Sequence, residues 1–146
     1  MAAGAIAVTM VAAGSFSAAE STGEGLIKYR QSVMGALGAH MGAISRIVRG
    51  EADHPDQLLA HAQAVQALAM MIPEAFADNA EGAENEAKPE IWSDAAGFAA
   101  KAEALQTAAA DFVAAAETGD MAAAGAALGG VGGACKGCHD NYREAD

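Results

Sequence analysis

Basic residues are scarce in this chain: 8 Lys and Arg stand against 19 Asp and Glu, a formal net charge of −11 over 146 residues. A surface of that sign repels phosphates, which argues against nucleic acid as a partner; it suits solubility and a basic redox partner. Proline occurs three times and aromatic residues make up 5% of the chain. With Val, Ile and Thr also sparse, a sheet protein is excluded, and the abundance of alanine points to helix. Only two cysteines are present, so there is no second cysteine pair to complete a four-thiolate zinc site. The length corresponds to one domain. No nucleophile with a partnered base and no phosphate-binding loop can be read from the chain, so no enzyme is expected.

The two cysteines stand together in Cys135-Lys136-Gly137-Cys138-His139. C-x-x-C-H is the c-type haem attachment pattern. On a helix, residues three and four apart share a face. Both thiols can then meet the two vinyl groups on one edge of a haem, and His139 can place a ring nitrogen on the iron. Three other chemistries compete for the same residues. Zinc would find only three ligands here; a thioredoxin-like pair would need a βαβ context, and nothing reads as a strand; a plain disulfide would have no use for the histidine.

Residues 1–16 are apolar and uncharged, and Ser17-Ala18-Ala19 follow as small residues before Glu20. This is the pattern of a secretory signal peptide covering 1–19, although no Lys or Arg precedes the apolar run. The rival, a membrane anchor, needs about 20 apolar residues, more than this run supplies. Export and removal leave a mature domain over 20–146 with no membrane association, and covalent haem attachment is expected outside the cytoplasm.

Four amphipathic helices are predicted. In the first, over 24–49, Val33, Met34, Leu37, Met41, Ile44 and Val48 recur at threes and fours, and Gly50 ends it. Asp53-His54-Pro55 starts the second, whose Leu58, Leu59, Val65, Leu68 and Ile72 form a stripe that stops at Pro73. An acidic loop spans 74–88. Pro89-Glu90-Ile91-Trp92 opens the third helix, with Glu90 and Asp94 favouring its positive end and Phe98, Leu105, Phe112 and Ala116 on its inner face. Gly119-Asp120 closes it and caps the fourth, which runs from Met121 to Tyr142. Mostly short links make this an all-α fold, an antiparallel up-down-up-down four-helix bundle.

Gly129, Gly130, Gly132 and Gly133 each lower the stability of the fourth helix by about 1 kcal/mol relative to alanine. Close approach of a flat macrocycle would explain them; a frayed or kinked helix is the alternative. Opposite His139, the distal residue should come from the first or second helix. Among Met34, Met41, Met70, Met71, His40, His54 and His61, the best placed is Met34, four residues after Arg30. Arg30 could then reach a haem propionate while Met34 covers the iron. Equally, Met34 could be a core methionine filling a gap. His54 is expected in solvent, His40 and His61 are expected at the surface or satisfied because neither continues the apolar stripe, and Met70 and Met71 are expected to pack within the second helix.

The C-x-x-C-H site close to the carboxyl end, Tyr29-Arg30-Gln31 with an apolar residue at 34, Lys88-Pro89-Glu90-Ile91-Trp92-Ser93-Asp94, and above all 135–143 together resemble cytochrome c′, the class II c-type cytochromes. The resemblance covers essentially the whole mature chain. It implies a periplasmic homodimer with one haem c per chain, held by thioethers from Cys135 and Cys138, with a pentacoordinate high-spin iron on His139. It places Met34 at the distal position, Arg30, Gln31 and Glu86 beside the haem, and Arg143 near the proximal imidazole, where the sequence alone shows an ordinary cation at a helix end. Nitric oxide and carbon monoxide are the implied ligands, with electron transfer as a related role. A methionine at the distal position also occurs in low-spin relatives where it bonds the iron. A His/Met electron carrier therefore stays open as the alternative.

Overall fold

A computed structural model describes residues 22–80 and 85–144. The signal-peptide expectation for 1–19 falls outside the described residues. Helix α1 spans Gly23–Val48, α2 Leu58–Ala75, α3 Glu90–Ser93, α4 Ala95–Glu117 and α5 Met121–Tyr142. The long helices α1, α2, α4 and α5 form the four-helix bundle; α3 is a single turn leading into α4. Among the described residues, no helix is long and apolar enough to cross a membrane.

Local chemistry sets the helix ends. The Thr22 hydroxyl accepts from the Gly25 amide at 3.1 Å to start α1, and Gly50 turns the chain out of it at φ +71°, where a Cβ would be strained. A 3₁₀ turn at Pro55–Gln57 leads into α2. Asp120 caps α5 by accepting from the amides of Ala122 at 2.8 Å and Ala123 at 3.2 Å, which satisfies two of the orphan donors of a helix start.

Two boundaries differ from the sequence reading. Helix α2 does not stop at Pro73 but continues to Ala75. Proline cannot donate to the carbonyl four residues back, here that of Ala69, and the Gln106 side chain of α4 donates to it instead at 3.3 Å. The third predicted helix is broken at Asp94, whose φ and ψ of −118° and 53° are not helical. Its carboxylate accepts from the Gly97 amide at 3.2 Å and from the Tyr142 hydroxyl at 2.7 Å. A helical Asp94 could not serve as the cap of α4.

The core is built on a 4-3 spacing: Leu58, Ala62, Val65, Ala69 and Ile72 on α2, and Phe98, Ala102, Leu105, Ala109, Phe112 and Ala116 on α4. Alanines at buried positions let the helices approach closely, while Phe112, Ile44, Val65 and Val131 are fully enclosed, each contributing about 1.5–3 kcal/mol of apolar burial. Met70 and Met71 do not pack inward as expected: they are 62% and 43% exposed, because the inward stripe of α2 passes through Ala69 and Ile72. The tight seams are α1–α2, α2–α4 and α4–α5, while the fourth, between α1 and α5, is the loosest of the neighbouring pairs. The bundle is open along that last seam.

Candidate cofactor site

A cavity of about 820 Å3 occupies the gap between α1 and α5, in the upper part of the roughly 300–1,000 Å3 range of cofactor pockets. Helix α5 supplies Gly132, Cys135, Cys138, His139 and Tyr142 to one wall; α1 supplies Met34, Leu37, Gly38 and Met41 to the facing one, with Phe98, Ala102 and Leu105 of α4 behind. One turn of α5 carries both thiols and the imidazole, as the C-x-x-C-H spacing requires. Cys135 and Cys138 are free and half-buried. Burial pushes both thiols up; for Cys138 the neighbouring Cys135 adds to the rise and Lys101 opposes it. Desolvation and the Arg143 guanidinium lower the His139 pKa, against the pull of Asp140 and Glu86. The neutral imidazole so favoured is the form that ligates a metal.

The other end of the cavity is closed by long-range contacts. Arg30 is buried, 4% exposed. Its Nε donates to the Ala75 carbonyl at 2.6 Å and its Nη2 to the Asp78 carbonyl, so it closes the carboxyl end of α2, where helix carbonyls are left unpaired. The guanidinium lies 5.3 Å from the ring centroids of both Phe76 and Trp92, within cation–π range. Burial lowers its pKa, partly offset by Asp78. Nη1 is buried with no hydrogen-bond partner among the described residues. An unpaired buried guanidinium N–H on a cavity wall fits an anionic acceptor entering that cavity, such as a haem carboxylate.

Glu86 and Arg143 form an ion pair. They belong to a latch in which the Lys88 amide donates to the Tyr142 carbonyl at 3.0 Å and the Glu144 amide to that of Glu86 at 2.8 Å. The exit of α5, one turn past His139, is thereby tied to the loop before α3. Arg143 holds the Glu86 carboxyl below the usual carboxylate range. Gln31 is exposed at the cavity rim.

All seven residues singled out for the site, Arg30, Gln31, Met34, Glu86, Cys135, Cys138 and His139, line this one cavity. The remaining candidates separate. Met41 lines it two turns beyond Met34, whereas Met70 and Met71 face outward. His54 is exposed before Pro55. His40 and His61 bond to each other across α1 and α2. His40 does continue a stripe, falling between Leu37 and Ile44 at the 4-3 spacing. Of the four α5 glycines only Gly132 borders the cavity; Gly129, Gly130 and Gly133 are exposed, and α5 runs past all four as a continuous helix. Close approach to a ring therefore accounts for one glycine, not four. The sequence reading missed Lys101 and Phe76, which line the cavity; the position of Lys101, three residues after Phe98 on the inner stripe of α4, was the available signal. Among the described residues, no three His, Cys, Asp or Glu stand close enough to share an ion, so the zinc alternative lacks a ligand set.

A family model described as Cytochrome C' matches residues 25–143. Cytochrome c' of Alcaligenes xylosoxydans xylosoxydans is 39% identical over 122 residues, covering 83% of this chain and 94% of that protein. Two solved structures from Alcaligenes xylosoxidans each superpose at TM-score 0.78 with 38% identity, covering 86% of this chain and 98% of theirs. One is a nitric oxide complex of a mutant cytochrome c prime; the other is a carbon monoxide-bound variant. With the match spanning all four helices and the C-x-x-C-H turn, this chain belongs to the cytochrome c′ family and binds haem c.

Proposed function

We propose that the protein is an exported, periplasmic haem c protein that binds small uncharged diatomic gases, nitric oxide and carbon monoxide, at a pentacoordinate iron, with electron transfer as a related role and no enzymatic one. The observation that carries this reading is the cavity wall facing His139. It is the stretch Met34, Leu37, Gly38 and Met41 of α1, without charge or imidazole; the polar members of that helix's lining, Arg30 and Gln31, precede it. Such a wall admits small uncharged ligands and disfavours anions, which would lose hydration without gaining a partner.

In this reading Cys135 and Cys138 anchor the haem, His139 is the proximal ligand and Met34 shields the opposite side. Arg30 meets a propionate through Nη1, and Gln31 and Glu86 border the haem edge. When bound, the haem would supply an iron able to take up a diatomic ligand. What the chain's own residues do is hold a neutral imidazole on one side, keep the other side apolar, and fix the exit of α5 through the Arg143–Glu86 latch. A homodimer through the outer faces of α1 and α2 is supported by Tyr29, Met70 and Met71, the exposed large apolar side chains among the described residues, which lie on those two helices. Export rests on the 1–19 leader pattern.

A second reading has specific support: two thioethers, Met34 and Met41, line the facing wall. If one bonds the iron, the protein is a low-spin His/Met electron carrier with no ligand chemistry. An absorption spectrum of the haem-loaded protein, oxidised and reduced, with and without carbon monoxide, separates the two. A high-spin reduced spectrum that shifts with the gas is expected, together with faster association in Met34→Ala. A sharp low-spin spectrum indifferent to the gas refutes gas binding in favour of the carrier.

A further inference from the structure

The seam between α1 and α2 holds a pair of imidazoles that the cavity does not use. His40 and His61 come from different helices and are both half-buried. Their Nδ1 atoms stand 2.8 Å apart, and their rings meet edge-on with centroids 5.1 Å apart and an interplanar angle of 64°. Two nitrogens at that distance share one proton, with one ring donating and the other accepting. We propose that this pair is a two-histidine chelate for a divalent transition-metal ion of tetragonal preference, Cu(II) or Ni(II), with water in the remaining positions.

Two nitrogen donors completed by water make the N,O set that Cu(II) and Ni(II) take in square-planar or tetragonal sites. Imidazole nitrogen sits about 2.0 Å from such ions, and two ligands at that distance whose nitrogens are 2.8 Å apart subtend roughly 90° at the metal, the cis angle of a tetragonal site. Bringing both lone pairs onto one ion turns each ring by roughly 45° from the N–N line, a motion that the broad χ2 of histidine permits. As the ion enters, the ring that donates the shared proton gives it up at Nδ1 and takes one from solvent at Nε2, so that both rings bind as neutral imidazoles with no net proton change. One turn away, Ala36 and Ala43 on α1 and Ala64 on α2 are partly exposed, while Leu37, Ile44, Leu58 and Val65 are buried, so coordinated water would enter from the exposed side of the seam. Among the described residues no third protein ligand converges, which makes the site one of exchangeable capture, not a structural one. An ion there would staple α1, the helix that carries the Met34 and Leu37 wall, to α2.

The test uses the haem-loaded protein, titrated with Cu(II), Ni(II) and Zn(II) chloride by calorimetry, with electron paramagnetic resonance of the copper form. One Cu(II) per chain is expected, with a tetragonal signal split by two nitrogens. Losing one of two linked ligands lowers affinity by roughly 100-fold or more, expected in both His61→Ala and His40→Gln. His54→Ala should leave binding unchanged. Haem absorption and circular dichroism establish that each variant is folded, and the two substitutions on different helices guard against one of them failing. Copper affinity unaltered by either substitution, a signal without two-nitrogen coupling, or one ion per two chains would each overturn the proposal.

Discussion

The continuation of α2 through Pro73 makes a quantitative prediction about Gln106. The Ala69 residue is 0% exposed, and with proline four residues on, the one side-chain donor to its carbonyl is the Gln106 amide at 3.3 Å. That length is just outside the usual range for N–H···O, so the bond itself is weak. Leaving a buried carbonyl unpaired is the larger effect, about 1–3 kcal/mol. Gln106→Met keeps the side-chain length and removes the donor, and should destabilise the fold by about 1–2 kcal/mol. For a domain of this size that is a fall of roughly 3–10 °C in Tm. Pro73→Ala supplies a backbone N–H to the same carbonyl, so in that background Gln106→Met should cost less than about 0.5 kcal/mol. Urea unfolding of the four proteins, followed by helical circular dichroism, reads the coupling directly. An equal cost of Gln106→Met in both backgrounds would refute the assignment of Gln106 as the stand-in for the missing proline N–H.

Three further outcomes are expected. A Cβ at Gly97 would collide with the Asp94 carboxylate and the Tyr142 hydroxyl, so Gly97→Ala should destabilise by up to about 2 kcal/mol in spite of alanine's better helix propensity, because overpacking costs about 1–3 kcal/mol against a gain of about 1; a stabilised variant in thermal melts would contradict this. The hydrogen bond to Asp94, with burial and the Asp94 charge, raises the Tyr142 hydroxyl pKa to about 12. A raised acid contributes stability that is complete below the ordinary tyrosine value near ~10 and lost as pH rises through the folded value; stability should therefore fall above that ordinary value, and Tyr142→Phe, which lacks the contribution at every pH, should be less stable at neutral pH and lose that alkaline dependence. Arg30→Lys keeps a charge but loses the forked donation to Ala75 and Asp78 and the stacking on Phe76 and Trp92. It should lower stability by about 2–3 kcal/mol, measured by urea unfolding, with a null effect overturning the account of Arg30 as the closure of α2.

What could be read along the chain was what depends on neighbours three or four residues away. The apolar spacing placed α1 and α5 to within a residue or so, Gly50 and Gly119-Asp120 marked their limits, and one turn of α5 displayed both thiols and the imidazole. Those arrangements follow from helical geometry alone, so local sequence suffices for them. The break at Asp94 and the passage of α2 through Pro73 were misread for a single reason: each is decided by a side chain on another helix, Tyr142 in the first case and Gln106 in the second.

The sequence by itself determined the all-α class, the four helices and their inward stripes, and the haem-binding turn at Cys135–His139. Only the tertiary structure decided the use of Arg30, whose donors go to carbonyls 45 and 48 residues away, the Glu86–Arg143 latch across 57 residues, and the meeting of His40 with His61 across 21. It also decided that α1 and α5 stand apart, leaving a cavity where a fully closed bundle would have a seam. Periodicity states which face of a helix turns inward. Which residues meet across the bundle is set by how the helices pack, and that information lies in no window of the sequence.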